Sequence, residues 1–428
     1  MTVDVEAPEP QTPDLRVLAV HPGAEMFGSD RMFLESVIGL AAACEVVVAL
    51  PEDGPLAARI REEGIRVELA PMLTLRKALL RPRGWFTLAR DTIRNTVSAR
   101  RLLRTHSPDA VYVSTVTLPL WPVLARIHGR RVVSHVHEAE STAGSLMKRA
   151  LYAPQLASHE IIVNSEFSLR TLVASFPSLR NRVRLVFNGV LGPASPSPIR
   201  QEPPRSVRLL FIGRLSPRKG PHVAIDALKI LVDNGVDATL DVLGAAFRGY
   251  EWFDDELHTM TDRLGLRSRV RFHGFEEEVW PRLNGADILL VPSIVDEPFG
   301  NTAVEGILAL RPVIASDTSG LREAAGGYPS VTLVAPDDPD AIASAAKVLL
   351  DEHWPSLREA TQRSAATAIR RHHPDQYRAS VAEIVVEPER PRGASEAESP
   401  HPDEHAALRS PGALSTNAPG ASGEKGLQ

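Results

Sequence analysis

Val207-Arg208-Leu209-Leu210-Phe211-Ile212-Gly213-Arg214-Leu215-Ser216-Pro217-Arg218-Lys219-Gly220 decides the fold. Leu209 to Ile212 form an unbroken apolar run, as a strand covered on both faces requires. The run passes through a glycine into a polar turn and then a helix-periodic segment, the rhythm of a β-α unit. Comparable β-branched runs lie at Arg16 to His21, Glu45 to Leu50, Ile65 to Leu69, Ala110 to Val116, Arg131 to His137 and Glu160 to Asn164. Others follow at Thr239 to Leu243, Val270 to His273, Ile288 to Val291, Pro312 to Ala315 and Val331 to Val334. Alternation with longer helical segments predicts parallel sheets covered by helices, an α/β fold.

At 428 residues the chain exceeds one ordinary core. Gly192-Pro193-Ala194-Ser195-Pro196-Ser197-Pro198 and Gln201-Glu202-Pro203-Pro204 continue neither helix nor central strand. The expected organisation is a disordered N-terminus over 1–14, a Rossmann-like domain over 15–192 and a linker over 193–206. A second domain over 207–372 and a helix over 373–387 follow. From Pro388 to Gln428 there is no aromatic, Val, Ile or Met, so 388–428 is expected to be a disordered tail. A single cysteine, Cys44, excludes an internal disulfide and a cysteine-based zinc site. The acidic, proline-rich start is unlike a signal peptide, and no apolar run approaches a membrane span of roughly 20 residues. A cytoplasmic protein is expected, with a membrane surface still open to it.

Two loops carry chemistry. In Pro292-Ser293-Ile294-Val295-Asp296-Glu297-Pro298-Phe299-Gly300-Asn301-Thr302-Ala303-Val304-Glu305-Gly306 a strand runs into a helix. Gly300, Asn301 and Thr302 would present backbone N–H groups at the positive helix end, suited to an anion or a polyol oxygen. Glu297 in the loop and Glu305, about two turns into the helix, can both face one cleft and grip hydroxyl pairs. A surface loop with locally satisfied acids fits those two residues equally. In the opening segment Gly213 permits close backbone approach, and Arg214 with Lys219 offers a fork-shaped donor plus a point charge, a match for a diphosphate. Two exposed cations alone would be merely solvated.

Together, Gly213-Arg214, Lys219-Gly220, Glu297-Pro298-Phe299-Gly300 and Glu305 resemble the donor-binding half of the retaining GT-B glycosyltransferases of family 4. Asn188-Gly189-Val190, Gly274, Val313 to Asp317 and Gly320-Leu321-Arg322-Glu323 extend the likeness, which runs from about Arg16 to about Val386. The resemblance implies two Rossmann-like domains facing across a cleft, donor on the second and acceptor on the first. It implies that Arg214 and Lys219 neutralise the diphosphate of a nucleotide sugar and that Glu305 binds ribose. Glu297 would hold sugar hydroxyls with the N–H groups of Phe299, Gly300 and Asn301, and Phe275 would lie near the base. It also implies that no metal cofactor is needed, and retention of anomeric configuration.

In the first half Phe27-Gly28-Ser29-Asp30-Arg31 opens a helix after Val20-His21-Pro22-Gly23. Gly28, Ser29 and Arg31 are candidates for an acceptor or phosphate loop, with Ser29 or Asp30 as cap. Family members commonly have Gly-Gly-Ala-Glu-Arg here, so Phe27 departs from the pattern. His135-Val136-His137-Glu138 ends a strand; alternate residues share a face, so His135 and His137 could ligate a metal beside His21, but a third ligand is not evident. The resemblance instead places His137 near the donor sugar.

Thr74 to His106 holds nine Arg or Lys against Asp91, in a chain of net charge −5, interleaved with Leu75, Leu79, Leu80, Trp85, Phe86 and Leu88. Such a stretch suits an anionic membrane surface and equally an ordinary solvated helix face. Nucleic acid is not expected as a partner, because no reading module is present. The expectation is transfer of a sugar to a glycan or lipid-linked acceptor in envelope or exopolysaccharide assembly. Rivals are a sugar-nucleotide epimerase, which needs no acceptor, and a non-catalytic binding subunit.

Overall fold

The computed structural model describes residues 15–75, 85–138, 144–246 and 249–387. Two parallel sheets, each clothed by helices, form the molecule. The first has seven strands: β1 (Arg16–Val20), β2 (Glu45–Leu50), β3 (Arg66–Leu69), β4 (Ala110–Ser114), β5 (Arg131–Val136), β6 (Glu160–Val163) and β7 (Val183–Leu185), in the order 3-2-1-4-5-6-7. The second comprises β8 (Val207–Ile212), β9 (Ala238–Leu243), β10 (Val270–Gly274), β11 (Ile288–Val291), β12 (Val313–Ser316) and β13 (Val331–Val334), in the order 10-9-8-11-12-13. Each order reverses beside its first strand, so each sheet has a topological switch point where ligands lodge beyond the strand ends. The two-sheet architecture expected from the apolar runs is the one observed.

Burial explains the strands. Val47, Val48, Leu209, Leu210 and Phe211 are all buried, because helices cover both faces of each sheet. β4 stops at Ser114, two residues before the end read from the sequence. Thr115 then takes φ of 119°, an unusual conformation for a β-branched residue, and ends the strand.

The helix Pro374–Val386 returns from the second half to pack on the helix Gly28–Ala41. Tyr377, Val381 and Val385 are buried there among Met32, Val37 and Tyr112. Between β7 and β8 no residue is helical or in a strand, and the linker is pinned to the second half. Ser197 accepts from Arg311, and Arg200 accepts from the Trp354 indole at 3.1 Å. Cys44 is buried, which pushes its thiol up to about 11, so it is an inert core residue. The segments 1–14 and 388–428, read as disordered, lie outside the described residues.

Candidate active site

Two helices begin close together, one from each half. The helix Gly28–Ala41 follows β1, and the helix Asn301–Leu308 follows β11. A Cβ built on Gly28 would stand 3.7 Å from Asn301 Nδ2. Both leading turns leave N–H groups without intrahelical acceptors, so two positive helix ends share one space. The two helix starts, one from each half, thus adjoin in one space.

Gly300 makes the turn into the second helix at φ of 148°, where a Cβ would come within 2.6 Å of Leu321 Cδ2. Gly320 packs beneath the same loop: a Cβ there would meet the Glu297 carbonyl at 2.0 Å. These glycines hold the Glu297 loop against the helix Ser319–Ala325. Asn188 donates through Nδ2 to Asn301 Oδ1 at 2.8 Å, fixing the amide at the helix start. Thr302 lies in the first turn, half-buried.

Glu297 is buried. Its Oε2 accepts from Lys219 Nζ at 2.8 Å and its Oε1 from Ser293 Oγ at 2.9 Å. Burial pushes the carboxyl up, but Lys219 and Arg218 together with these hydrogen bonds outweigh it, and the group is held below its ordinary range. It is therefore an ionised acceptor at neutral pH. Gly213 lies beneath Lys219, its own N–H bonded to the Leu243 carbonyl at 3.0 Å.

Glu305 lies one turn into its helix rather than two, because the helix begins only at Asn301; Pro298 and Phe299 precede it as loop. Arg31 reaches it from the first half, Nη1 to Oε1 at 3.3 Å, while its Nη2 donates to the Glu277 carbonyl at 2.5 Å. Burial raises the Glu305 carboxyl against the lowering effect of Arg31. Arg214 lies with Cζ 5.4 Å from the Phe27 ring centroid, and Phe275 meets the same ring edge-on at 5.5 Å. Arg214, Phe275, Glu305 and Asn301 of the second half thus gather with Phe27, Gly28 and Arg31 of the first. The Phe299 ring turns away into the core against Phe187 and His372, leaving only its backbone to the cleft.

Ser29 sits inside the first turn, and Asp30 is the residue that closes the helix start, Oδ2 accepting from Phe27 N at 2.9 Å. Its Oδ1 lies 2.7 Å from His21 Nε2. His137 is buried near this pair, stacked on His135 with centroids 4.0 Å apart, and its Nε2 has no hydrogen-bond partner. Burial, and then His21, depress it to about 3 against the pull of Asp30. A neutral imidazole can exchange a hydrogen bond with a substrate but cannot supply a fixed charge. His135 Nδ1 is engaged by Tyr112 Oη at 2.6 Å, and among the described residues no group of three or more His, Cys, Asp or Glu could hold a metal ion.

Sequence reasoning missed Ser293, which stands four residues before Glu297 but has no local signature. It also read Phe27 only as a departure, since the ring's partners lie in the other half.

Known proteins share this arrangement of halves. The model of the Glycosyltransferase Family 4 matches residues 28–190, and that of the Glycosyl transferases group 1 matches residues 197–368. D-inositol 3-phosphate glycosyltransferase of Corynebacterium glutamicum is 27% identical over 274 residues, covering 60% of this chain and 65% of that protein. The 2-deoxystreptamine glucosyltransferase of Streptomyces kanamyceticus is 34% identical over 151 residues, 35% of this chain and 38% of that one. The chain thus spans less than two thirds of the length of these curated relatives. The crystal structure of Anabaena HepE in complex with UDP and glucose matches with a TM-score of 0.73 at 20% identity, covering 86% of this chain and 98% of that one. WaaG, a glycosyltransferase involved in lipopolysaccharide biosynthesis, matches with a TM-score of 0.64 at 16% identity, over 87% and 100%. These likenesses give the fold, GT-B. With both halves matched, the chain belongs to the group 1, family 4 glycosyltransferases.

Proposed function

We propose that the protein transfers a sugar from a nucleotide diphosphate sugar to a hydroxyl acceptor, retaining anomeric configuration. The observation that carries this is the pair of adjoining helix N-termini with Lys219 and Arg214 beside them and two buried carboxylates, Glu297 and Glu305, on either side. A diphosphate suits the amide and cation cluster, and Glu305 suits ribose. Glu297 suits sugar hydroxyls, as an ionised acceptor with lone pairs left over after its bonds to Lys219 and Ser293. In the reaction the bond from the anomeric carbon to the phosphate oxygen breaks. Arg214 and Lys219 stabilise the charge that develops on the leaving diphosphate, with no metal cofactor assigned. The acceptor oxygen bonds to the same face of the sugar, and its proton passes to the departing phosphate. His137 orients these groups as a neutral hydrogen-bonding side chain. That HepE binds UDP supports a uridine donor among the candidates.

For the acceptor we propose a glycan or lipid-linked hydroxyl in envelope or exopolysaccharide assembly, reached from the inner membrane surface. Support comes from the helix Trp85–His106, where Ile93 and Val97 are exposed beside Arg90, Arg94, Arg101 and Arg104. Ile127 on the adjoining helix Leu120–Ile127, and Leu146 and Met147 with Lys148 nearby, are exposed as well. Positions 76–84, with Arg76, Lys77, Arg81 and Arg83, and the side chains of Trp85, Phe86 and Leu88 lie outside the described residues. No described helix is long and apolar enough to cross a membrane.

A thermal-shift screen against UDP-, GDP- and dTDP-sugars tests the donor reading. One of them should raise the melting midpoint, because a ligand of the folded state adds apparent stability. No shift with any of the three would overturn it.

A further inference from the structure

Position 27 carries a ring where the family pattern has glycine. The Phe27 ring belongs to the first half, yet its neighbours are on the second: the Arg214 guanidinium at 5.4 Å and the Phe275 ring at 5.5 Å. Its backbone is firmly held. The Phe27 N–H donates to Asp30 at 2.9 Å, its carbonyl accepts from Arg31 N at 2.9 Å, and Asp30 is itself engaged by His21. The ring therefore projects from a fixed point of the backbone at the helix start.

We propose that Phe27 is a positioning residue for Arg214, holding the guanidinium plane so that the diphosphate clamp is completed only when the two halves close. A guanidinium lying over an aromatic ring keeps its N–H groups in its own plane, where a phosphate can be received. The ring is one of the contacts that order this long, rotamer-rich side chain before the ligand arrives, and its loss shifts part of the ordering cost onto binding. Because ring and cation come from opposite halves, their contact links cleft closure to leaving-group stabilisation.

This rests on the donor reading above, and the test separates the two. The affinity of the full chain is measured for UDP, GDP or dTDP, whichever raises the wild-type midpoint most, and for the matching nucleoside. Variants are Phe27→Ala, Phe27→Trp, Arg214→Lys and the double change Phe27→Ala with Arg214→Lys. Phe27→Ala should weaken the nucleoside diphosphate about three- to thirty-fold, ~0.7–2 kcal/mol, and leave the nucleoside within about twofold. Phe27→Trp should restore the wild-type affinity, and in the Arg214→Lys background the loss of Phe27 should cost less than about twofold. Unchanged diphosphate affinity in Phe27→Ala would overturn the proposal. So would an equal loss for the nucleoside, which would make Phe27 a base contact, or an equal loss in the Arg214→Lys background. If the wild type binds none of the three diphosphates, the donor reading fails first and takes this one with it.

Discussion

Arg31 of the first half and Glu305 of the second form an ion pair across the cleft, Nη1 to Oε1 at 3.3 Å. The carboxylate assigned to ribose is therefore in touch with the opposite half, and burial works against its ionisation while Arg31 favours it. Replacing Arg31 by Met should raise the Glu305 carboxyl further. The acid limb of kcat/KM should then move to higher pH, and an unmoved limb would show that the pair does not control this carboxylate.

Glu305→Ala removes an acceptor of charge-assisted hydrogen bonds. The KM for the donor should rise about ten- to a hundredfold, matching ~1.5–3 kcal/mol, with a smaller change in kcat. Steady-state kinetics with the donor varied checks the split.

Lys219 and Glu297 form a coupled pair, Nζ to Oε2 at 2.8 Å. Lys219→Ala removes a cation from the leaving group and should lower kcat by about 10²–10³. Because Glu297 is buried and held ionised by Lys219 first among its partners, the same change should also lift the Glu297 carboxyl and weaken the fold most at neutral pH, with the difference from wild type closing as pH falls. The sign follows from linkage: a depressed carboxyl contributes stability above its unfolded value near 4.5 that is lost as pH falls through the folded value. Urea melts of wild type and variant between pH 4 and pH 8 measure this.

His137 stabilises the fold in another window. Its folded value of about 3 lies below the ordinary 6.5, so its contribution is present above pH 6.5 and is lost as pH falls toward 3. His137→Phe should flatten that part of the stability profile, removing a slope of up to about 1.4 kcal/mol for each pH unit in which only the unfolded chain carries the proton. Activity should fall at every pH, since no protonation of His137 is invoked near neutrality.

Much of the fold was legible because strands covered on both faces must be apolar along their length. Twelve of the thirteen strands coincide with the runs read from the sequence, although β3 and β10 carry polar residues and are partly exposed. The exception, Val183-Arg184-Leu185, is three residues long and only half-buried, too short for any period to register. The anion loops were legible because a strand, a glycine and a helix start lie in one stretch of chain. What joins the halves was not. Arg31 and Glu305 are 274 positions apart, and Phe27, Arg214 and Phe275 meet only after folding. The helix start near Gly300 was legible, but Glu305 is four residues beyond Asn301, about one turn of 3.6 residues and not two. The neutral state of His137 depends on burial that a strand-end position does not reveal.

The proposed membrane contact can be tested apart from catalysis. Changing Arg94 and Arg101 to Glu should reduce binding to vesicles containing anionic lipid, at about 1 kcal/mol per basic residue lost from the surface. Alanine at Arg76, Lys77, Arg81 and Arg83 should act in the same direction. Unchanged co-sedimentation in both sets would remove the membrane from the account, while soluble-donor binding should be untouched.

Sugar transfer at Glu297 and Lys219 is the central claim, and one assay addresses it most directly. Wild type and Glu297→Ala are incubated with the donor selected by thermal shift, with and without a lipid-linked acceptor fraction. Nucleoside diphosphate release and the anomeric configuration of the product are followed by NMR. The account predicts release that depends on acceptor, a product of unchanged configuration, and loss of both in Glu297→Ala. Conversion of the donor sugar without acceptor, an inverted product, or full turnover by Glu297→Ala would contradict it.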